Sequence, residues 1–442
     1  MGRKNIEKYS LLYELLRKYV DFWHNHIYYR KVIVYGRENV SYSDHNIFAP
    51  NHQNALMDAM AVLCTTKHQP VFLARADIFK KKFVANILYF LKILPIYRIR
   101  DGYSNLKQFD ETFDETLRVL RHKNGLVILP EGNHAGFRKL RQLKKGICRI
   151  AFQAEEAADF TLDIKIIPVG LEYSHYWFFR QVLTVVYGKP INVSDYYDEY
   201  RENEPQALSD LRDRLSVEMK KLMVHIEDED DYEAIDELRS IVNGKYSDNF
   251  RFPKLFRDQI LIGRLNKLRE KNNSEYRSLC TETIKVKKLA AELQLTYRQL
   301  SKKKNPLHWL VLASLFLLGT LPVFIVGAAL NILIIEIPRR QVKGLKDIMF
   351  TSSFFYGLTL AISFVLMPVY LILTLILIKP WWLAIGAFLL IPVAGIFAWN
   401  WLLLAKRVIG GLRIRSFIRT KNEKYADLKA AYTNLTGRVS KI

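Results

Sequence analysis

Asn51-His52-Gln53-Asn54-Ala55-Leu56-Met57-Asp58 sets an imidazole and a carboxylate on one short turn, directly after the apolar run Ile47-Phe48-Ala49. A histidine titrates near neutrality and can take a proton from a hydroxyl; a carboxylate beside it fixes the tautomer and steadies the imidazolium as it forms. The spacing predicts Asn54 as a helix N-cap and Ala55 to Cys64 as the opening of the helix, with Asp58 in its first turn. Helical side chains lean toward the N-terminus, so Asp58 leans back toward His52. Unpaired N–H groups at the helix start offer a weakly positive surface to an anion. A capping histidine followed by a helix-starting aspartate would give the same letters, so other segments must decide.

Three segments follow in order. Leu94-Pro95-Ile96-Tyr97-Arg98 reads as an extended apolar stretch that delivers an arginine, with Arg100 and Asp101 close behind. Arg98 there is either a phosphate fork or a solvated edge charge. Gly125 to His134 reads as a buried strand that ends in a tight turn, with Glu131 at the end where open α/β sheets collect their ligands. Glu131 can anchor a substrate hydroxyl, pair with a site arginine, or be a plain turn carboxylate. Ile166 to Tyr173 is a further core strand, interrupted by Pro168 and read as scaffold. The basic stretch Arg138 to Gly146, with Lys144 and Lys145, is either a solvated face or an attraction for phosphate. There is no Gly-x-Ser-x-Gly, and Cys64, Cys148 and Cys280 lack a nucleophile signature. None of the ten histidines forms a metal-ligand pattern, so no metal is expected.

Taken together, the four blocks resemble those of the glycerolipid acyltransferase family, which includes lysophosphatidate and glycerol-3-phosphate acyltransferases. They are matched by Asn51-His52 with Asp58, by Pro95 to Arg98, by Pro130-Glu131-Gly132, and by Ile167-Pro168-Val169 with Tyr173. The resemblance runs from about residue 30 to about residue 195. The family's usual spacing leaves four residues between histidine and aspartate; here five intervene, as in a branch with a His-Pro-Asn-x-x-x-Asp form. The second block lacks the family's common glycine and phenylalanine, so only Arg98 carries over there. The resemblance implies direct acyl transfer, in which His52 deprotonates an acceptor hydroxyl that attacks the thioester of acyl-CoA or acyl carrier protein while Asp58 orients His52. It implies no acyl-enzyme and no cofactor. Asn51, Arg98, Glu131, Gly132, Lys144 and Lys145 are the expected substrate-binding residues, with Arg98 and Glu131 on the glycerol phosphate. The expected acceptor is 1-acylglycerol 3-phosphate. Glycerol 3-phosphate, dihydroxyacetone phosphate and a lyso amino-acid lipid are the alternatives, and a catalytically silent lipid-binding membrane protein is the non-enzymatic one.

Strand-like runs at Lys31–Val34, Ile47–Pro50, Val71–Arg75, Gly125–Leu129, Ile164–Val169 and Leu183–Tyr187 alternate with helical stretches. That alternation predicts an α/β sandwich around a mostly parallel sheet, with the site at one sheet edge facing a bilayer. The expected division is an amphipathic N-terminal helix at 1–30, the acyltransferase domain at 31–200, a charged helical region at 201–304, a membrane domain at 305–405 and a basic cytoplasmic tail at 406–442. Ile6 to Tyr29 mixes leucines with Lys8, Arg17 and Lys18, a pattern for lying in a headgroup layer or for packing on the core. Leu208, Leu211, Leu215, Met219 and Leu222 repeat at helical spacing without evident chemistry, and Glu227 to Tyr232 reads as a solvated acidic turn.

The net charge of +22, with half of the residues hydrophobic, suits a basic protein against anionic phospholipid headgroups. No nucleic-acid-binding signature accompanies that charge, so nucleic acid is not an expected partner. Three cysteines without metal-like spacing point to a reducing compartment. Leu307–Ile335, Met349–Ile378 and Trp381–Ala405 are uncharged apolar runs long enough to cross a bilayer, with tryptophans near their ends. Basic flanks at Lys302–Lys304, at Arg339, Arg340, Lys343 and Lys346, and from Lys406 to Arg419 should all face the cytoplasm. Three simple crossings do not satisfy that. The expectation is therefore that Gly319-Thr320-Leu321-Pro322 turns residues 307–335 into a re-entrant hairpin, and that 350–378 and 381–405 cross as a pair.

Overall fold

A computed structural model describes residues 5–97, 106–244, 253–301 and 306–442. The chain divides into two compact units, one of residues 1–225 together with Asp347–Ser353, the other of residues 226–346 and 354–442.

The first unit is built on an eight-stranded sheet: β1 (Lys31–Tyr35), β2 (Asn46–Pro50), β3 (Val71–Arg75), β4 (Ile93–Ile96), β5 (Leu126–Val127), β6 (Lys165–Tyr173), β7 (Val182–Tyr187) and β8 (Ile191–Asn192). The strand order is β1-β7-β6-β2-β5-β3-β4, with β8 pairing the start of β6. The five strands from β6 to β4 run parallel; the reversal falls between β6 and β7, which pair antiparallel, and β1 runs parallel to β7. Every residue of β2 is buried, as is nearly all of β6, which explains why these strands read as continuous apolar runs and not as alternating ones. Helices α1 (Leu11–Phe22), α2 (Leu56–Leu63), α3 (Lys82–Phe90), α4 (Leu106–Arg121), α5 (Gly146–Glu156), α6 (Tyr197–Glu202) and α7 (Glu204–Leu222) complete the unit.

Two expectations change here. The domain does not end at 200: Leu208, Leu211, Leu215 and Met219 of α7 are buried in the same core as Ile47 of β2 and Ile166 of β6. Their helical spacing is the stripe that covers β6. The N-terminal segment is a shorter helix than its leucines suggested, α1 being followed by a π-helical turn at Trp23–Tyr28. Its two faces differ in burial. Tyr13 and Val20 are buried, while Leu11, Leu12, Leu15 and Phe22 stay exposed as an apolar face.

In the second unit, α8 (Tyr232–Asn243), α9 (Lys254–Lys271), α10 (Asn273–Glu292) and α11 (Tyr297–Ser301) are followed by α12 (Leu307–Gly319), α13 (Leu321–Val342), α14 (Thr351–Leu377), α15 (Trp381–Arg419) and α16 (Glu423–Val439). The acidic turn is not simply solvated, because Asp228 is buried, accepts a hydrogen bond from the Tyr276 hydroxyl at 2.7 Å and forms an ion pair with Arg269 at 3.2 Å. Nor is the C-terminal stretch a free tail: α15 runs on to Arg419, and α16 packs on α10 through Arg438, which pairs with Glu282 at 2.6 Å and Glu275 at 2.8 Å.

Three helical stretches are long and apolar enough to cross a membrane: Leu321–Val342, Ile348–Leu377 and Trp381–Arg419. The chain does break at Thr320, between α12 and α13. It does not turn back there. Leu310 and Leu317 of α12 cluster with Val408 of α15, the Trp401 indole donates to the Leu317 carbonyl, and Phe324 stacks on Trp401. Farther on, the Asn331 amide donates to Ile391. Contacts that start at Val408 and descend to Ile391 as the chain advances describe one bent path antiparallel to α15, which replaces the expected hairpin. Lys302–Lys304 lie outside the described residues.

The close seat of α7 on β6 is testable. A Cβ at Gly170 would run into the Leu222 carbonyl. Gly170→Ala should therefore lower stability by about 1–3 kcal/mol, read as a drop in Tm of the purified protein, because the helix end cannot yield without moving backbone.

Candidate active site

The site forms where three neighbouring strands end. β6, β2 and β5 lie side by side in the middle of the sheet; β6 ends on Tyr173, and the turns after β2 and β5 carry His52 and Glu131. The edge of the sheet concerned is the one formed by the C-terminal ends of central strands, where diverging chain leaves room for a ligand.

His52 Nδ1 lies 2.9 Å from Asp58 Oδ2, with the His52 side chain 17% exposed and Asp58 fully buried. The same carboxylate oxygen accepts the Gln53 N–H at 2.8 Å and the Asn54 N–H at 2.7 Å, and Oδ1 accepts the Tyr173 hydroxyl at 2.8 Å. Burial holds the Tyr173 phenol well above the ordinary tyrosine range, so it remains a donor. With Asp58 acting as acceptor, the proton of a neutral His52 sits on Nδ1 and the Nε2 lone pair is left for chemistry.

The five-residue spacing has a structural cost. Asn54 does not cap α2 with its side chain; its amide donates to the Tyr176 carbonyl at 3.2 Å. The cap position falls to Ala55, held at φ 45° and ψ −125°, a conformation an alanine rarely adopts and one worth about 1–3 kcal/mol of strain. In compensation, Asp58 collects the N–H groups of the turn ahead of it.

Glu131 takes the place of a buttress. Its Oε1 accepts the His52 backbone N–H at 2.6 Å, and Oε2 accepts the Arg141 backbone N–H at 3.1 Å and Nε at 3.2 Å. Burial pushes the Glu131 carboxyl up, and the His52 and Arg141 contacts pull it back. Since both oxygens are engaged by protein donors, Glu131 positions His52 and Arg141 and is not the expected hydroxyl anchor. Asn51 is corrected likewise: it is buried, and its side chain exchanges both hydrogen bonds with the backbone of Leu171, tying the end of β2 to β6. Lys145 donates to Ser209 at 2.6 Å and to the Pro205 carbonyl, so it anchors α7. Lys144 is exposed, with its backbone N–H on the Pro130 carbonyl. Gly132 has φ 70°, which a tight turn after β5 requires. Arg98 lies outside the described residues.

Several roles were not legible in the sequence. Tyr173, read as scaffold, donates to the key carboxylate. Arg141 was hidden in a basic run, yet its side chain is a third exposed, and its Nη2 has no partner among the described residues. His134 faces His52 with ring centroids 5.4 Å apart, nearly perpendicular; its place three residues after Glu131 was the available signal. The three cysteines are buried, and burial raises all three thiols, Cys148 and Cys280 to about 12. They are poor nucleophiles.

A family model described as Acyltransferase matches residues 31–172. Glycerol-3-phosphate O-acyltransferase 2 of Saccharomyces cerevisiae is 33% identical over 112 residues, which is 25% of this chain and 14% of that protein. Glycerol-3-phosphate O-acyltransferase 1 of the same yeast is 26% identical over 164 residues, 36% of this chain and 20% of that protein. The chain thus aligns with a fifth or less of the length of these relatives. The crystal structure of the 1-acyl-sn-glycerophosphate (LPA) acyltransferase PlsC from Thermotoga maritima superposes with a TM-score of 0.35 at 17% identity, over 48% of this chain and 78% of that one. With its four ordered blocks falling within or beside the matched residues, the chain carries, over residues 31–172, an acyltransferase domain of the glycerolipid acyltransferase family.

Proposed function

We propose that the protein is a membrane-bound O-acyltransferase that moves a fatty acyl chain from acyl-CoA or acyl carrier protein to the free hydroxyl of 1-acylglycerol 3-phosphate. The observation that carries the reading is the His52–Asp58 pair, a buried carboxylate with four donors that leaves one imidazole nitrogen available. In the proposed step, Nε2 takes the hydroxyl proton as the acceptor oxygen attacks the thioester carbonyl carbon. The carbon–sulfur bond then breaks, and the imidazolium returns the proton to the departing thiolate. The Arg141 guanidinium, a third exposed and held at Nε by Glu131, is suited to pair with the acceptor phosphate. The exposed apolar face of α1 and the membrane-crossing helices favour a lipid acceptor. Glycerol 3-phosphate is the second reading, favoured by the names of the two yeast relatives.

The basic residues Arg339, Arg340, Lys343 and Lys346 immediately precede Asp347, and α14 and α15 return the chain from there to a second basic stretch, Lys406 to Arg419. Two crossings put both on one face, which we assign to the cytoplasm together with the catalytic unit that Asp347–Ser353 belongs to. A tag at Arg340 should be accessible only after permeabilisation of the cell; labelling from outside would reject the assignment.

Purified protein given labelled acyl-CoA or acyl carrier protein and a panel of acceptors should transfer to 1-acylglycerol 3-phosphate in preference to glycerol 3-phosphate, and His52→Ala should abolish transfer. The reverse preference supports the second reading, whereas transfer to neither, or full activity in His52→Ala, contradicts the proposal. Tyr173→Phe removes one of the four donors and should lower kcat roughly tenfold, as expected for the loss of a hydrogen bond to a charged group.

A further inference from the structure

The segment Asp347–Ser353, more than two hundred residues downstream of the dyad, belongs to the catalytic unit, whereas the residues on either side of it in sequence belong to the other unit. Its attachments are specific. The Asp347 carboxylate lies 3.3 Å from His134 Nε2, and the Phe350 ring meets the His134 ring edge to face at 4.8 Å. Ser353 Oγ accepts the Leu56 N–H at 3.1 Å, at the start of the helix that carries Asp58. Ser352 Oγ donates to the Tyr176 carbonyl, just beyond Tyr173, and Met349 lies against Gly136. Ser352 and Ser353 are both buried. One short segment therefore touches each of the three turns that supply the site, the turns after β2, β5 and β6.

We infer that Asp347–Ser353 is a positioning strap of the active site, in which Asp347 and Phe350 hold the His134 imidazole in its place beside His52. His134 is clasped on one side by the carboxylate and on another by the phenyl ring, and its own ring limits the room around His52, against which it stands nearly perpendicular at 5.4 Å. Met349 supports the Asp347 end: its backbone N–H donates to the carboxylate at 2.9 Å and, with His134, holds the Asp347 carboxyl below the ordinary range. Because a side chain released from two contacts samples other rotamers, loss of the strap would let His134 swing across the space where the acceptor hydroxyl must approach Nε2. The strap also opens the stretch Ile348–Leu377, so the first turn of a membrane-crossing helix is part of the catalytic wall.

This inference rests on the acyltransferase reading for its kinetic arm but not for its structural arm. In the full-length protein, the rate of diethyl pyrocarbonate labelling at His134, mapped by mass spectrometry, is compared among wild type, Asp347→Asn, Phe350→Ala and Asp347→Glu. Asp347→Asn is isosteric and Asp347 is half exposed, which keeps the fold out of the comparison. Asp347→Asn and Phe350→Ala should label His134 severalfold faster than wild type. They should lower kcat roughly tenfold, the size of one lost charge-assisted contact, with KM for the acyl donor nearly unchanged. Asp347→Glu should recover most of the kcat. Unchanged labelling in both variants overturns the strap whatever the activity, and faster labelling with an unchanged kcat overturns its positioning role. A wild-type protein that transfers no acyl group sinks the functional reading, while the labelling still decides whether the strap holds His134.

Discussion

A carboxylate with no exposure to water must be paid for in hydrogen bonds, and Asp58 is the point on which the catalytic unit turns. Its four donors come from the imidazole of His52, two consecutive N–H groups of the turn after β2, and a tyrosine at the end of β6. Moving any of these elements would strand a buried charge, at a cost of several kcal/mol. The carboxylate thereby fixes the β2–β6 register at the site, the path of the turn and the start of α2 in a single step. Asn51, bonded twice to Leu171, repeats the β2–β6 tie one residue before the histidine. Glu131 holds the His52 backbone from the opposite flank. The imidazole is consequently restrained through both its side chain and its main chain, which suits a base that must present one nitrogen in a constant direction.

Strain at Ala55 fits the same picture. Five residues between histidine and aspartate are one more than a simple helix entry accommodates, and the surplus is absorbed by an alanine at positive φ. The surrounding turn tolerates this because Asp58 gathers its N–H groups and Asn54 is held by the Tyr176 carbonyl. Backbone strain concentrated beside the reacting group is a familiar way to aim a side chain that a regular helix would point elsewhere.

Much of this was legible in the chain. The sheet strands are short apolar runs bounded by turn residues, and a period that fits burial on both faces places them without tertiary information. His52 and Asp58 were visible because the contact that joins them is local. The residues that escaped are those whose partners are distant in sequence. Tyr173 lies 115 residues from Asp58, and its place in an apolar strand gave no hint that its hydroxyl would meet a carboxylate. Asn51 and Glu131 were recognised as site residues but assigned to substrate, since sequence shows which polar groups gather near a site and not which of them protein donors will claim. The helical stripe of α7 carried its own periodicity, but only β6 explains what it covers. Asp347–Ser353 had no signal at all, being a few polar and aromatic letters at the mouth of an apolar run. In the second unit the bend at Thr320 was readable from Gly319 and Pro322, whereas its direction depended on Trp401 and Ile391, far along the chain.

The proposed chemistry depends on which nitrogen of His52 carries the proton. Nitrogen-15 NMR of histidine-labelled full-length protein, with His52 assigned by comparison with His52→Ala, measures this directly at a pH where the ring is neutral. The Asp58 contact predicts a protonated Nδ1, bonded to that carboxylate, and an unprotonated Nε2. A neutral ring with its proton on Nε2 would contradict it, because no lone pair would then face the acceptor hydroxyl.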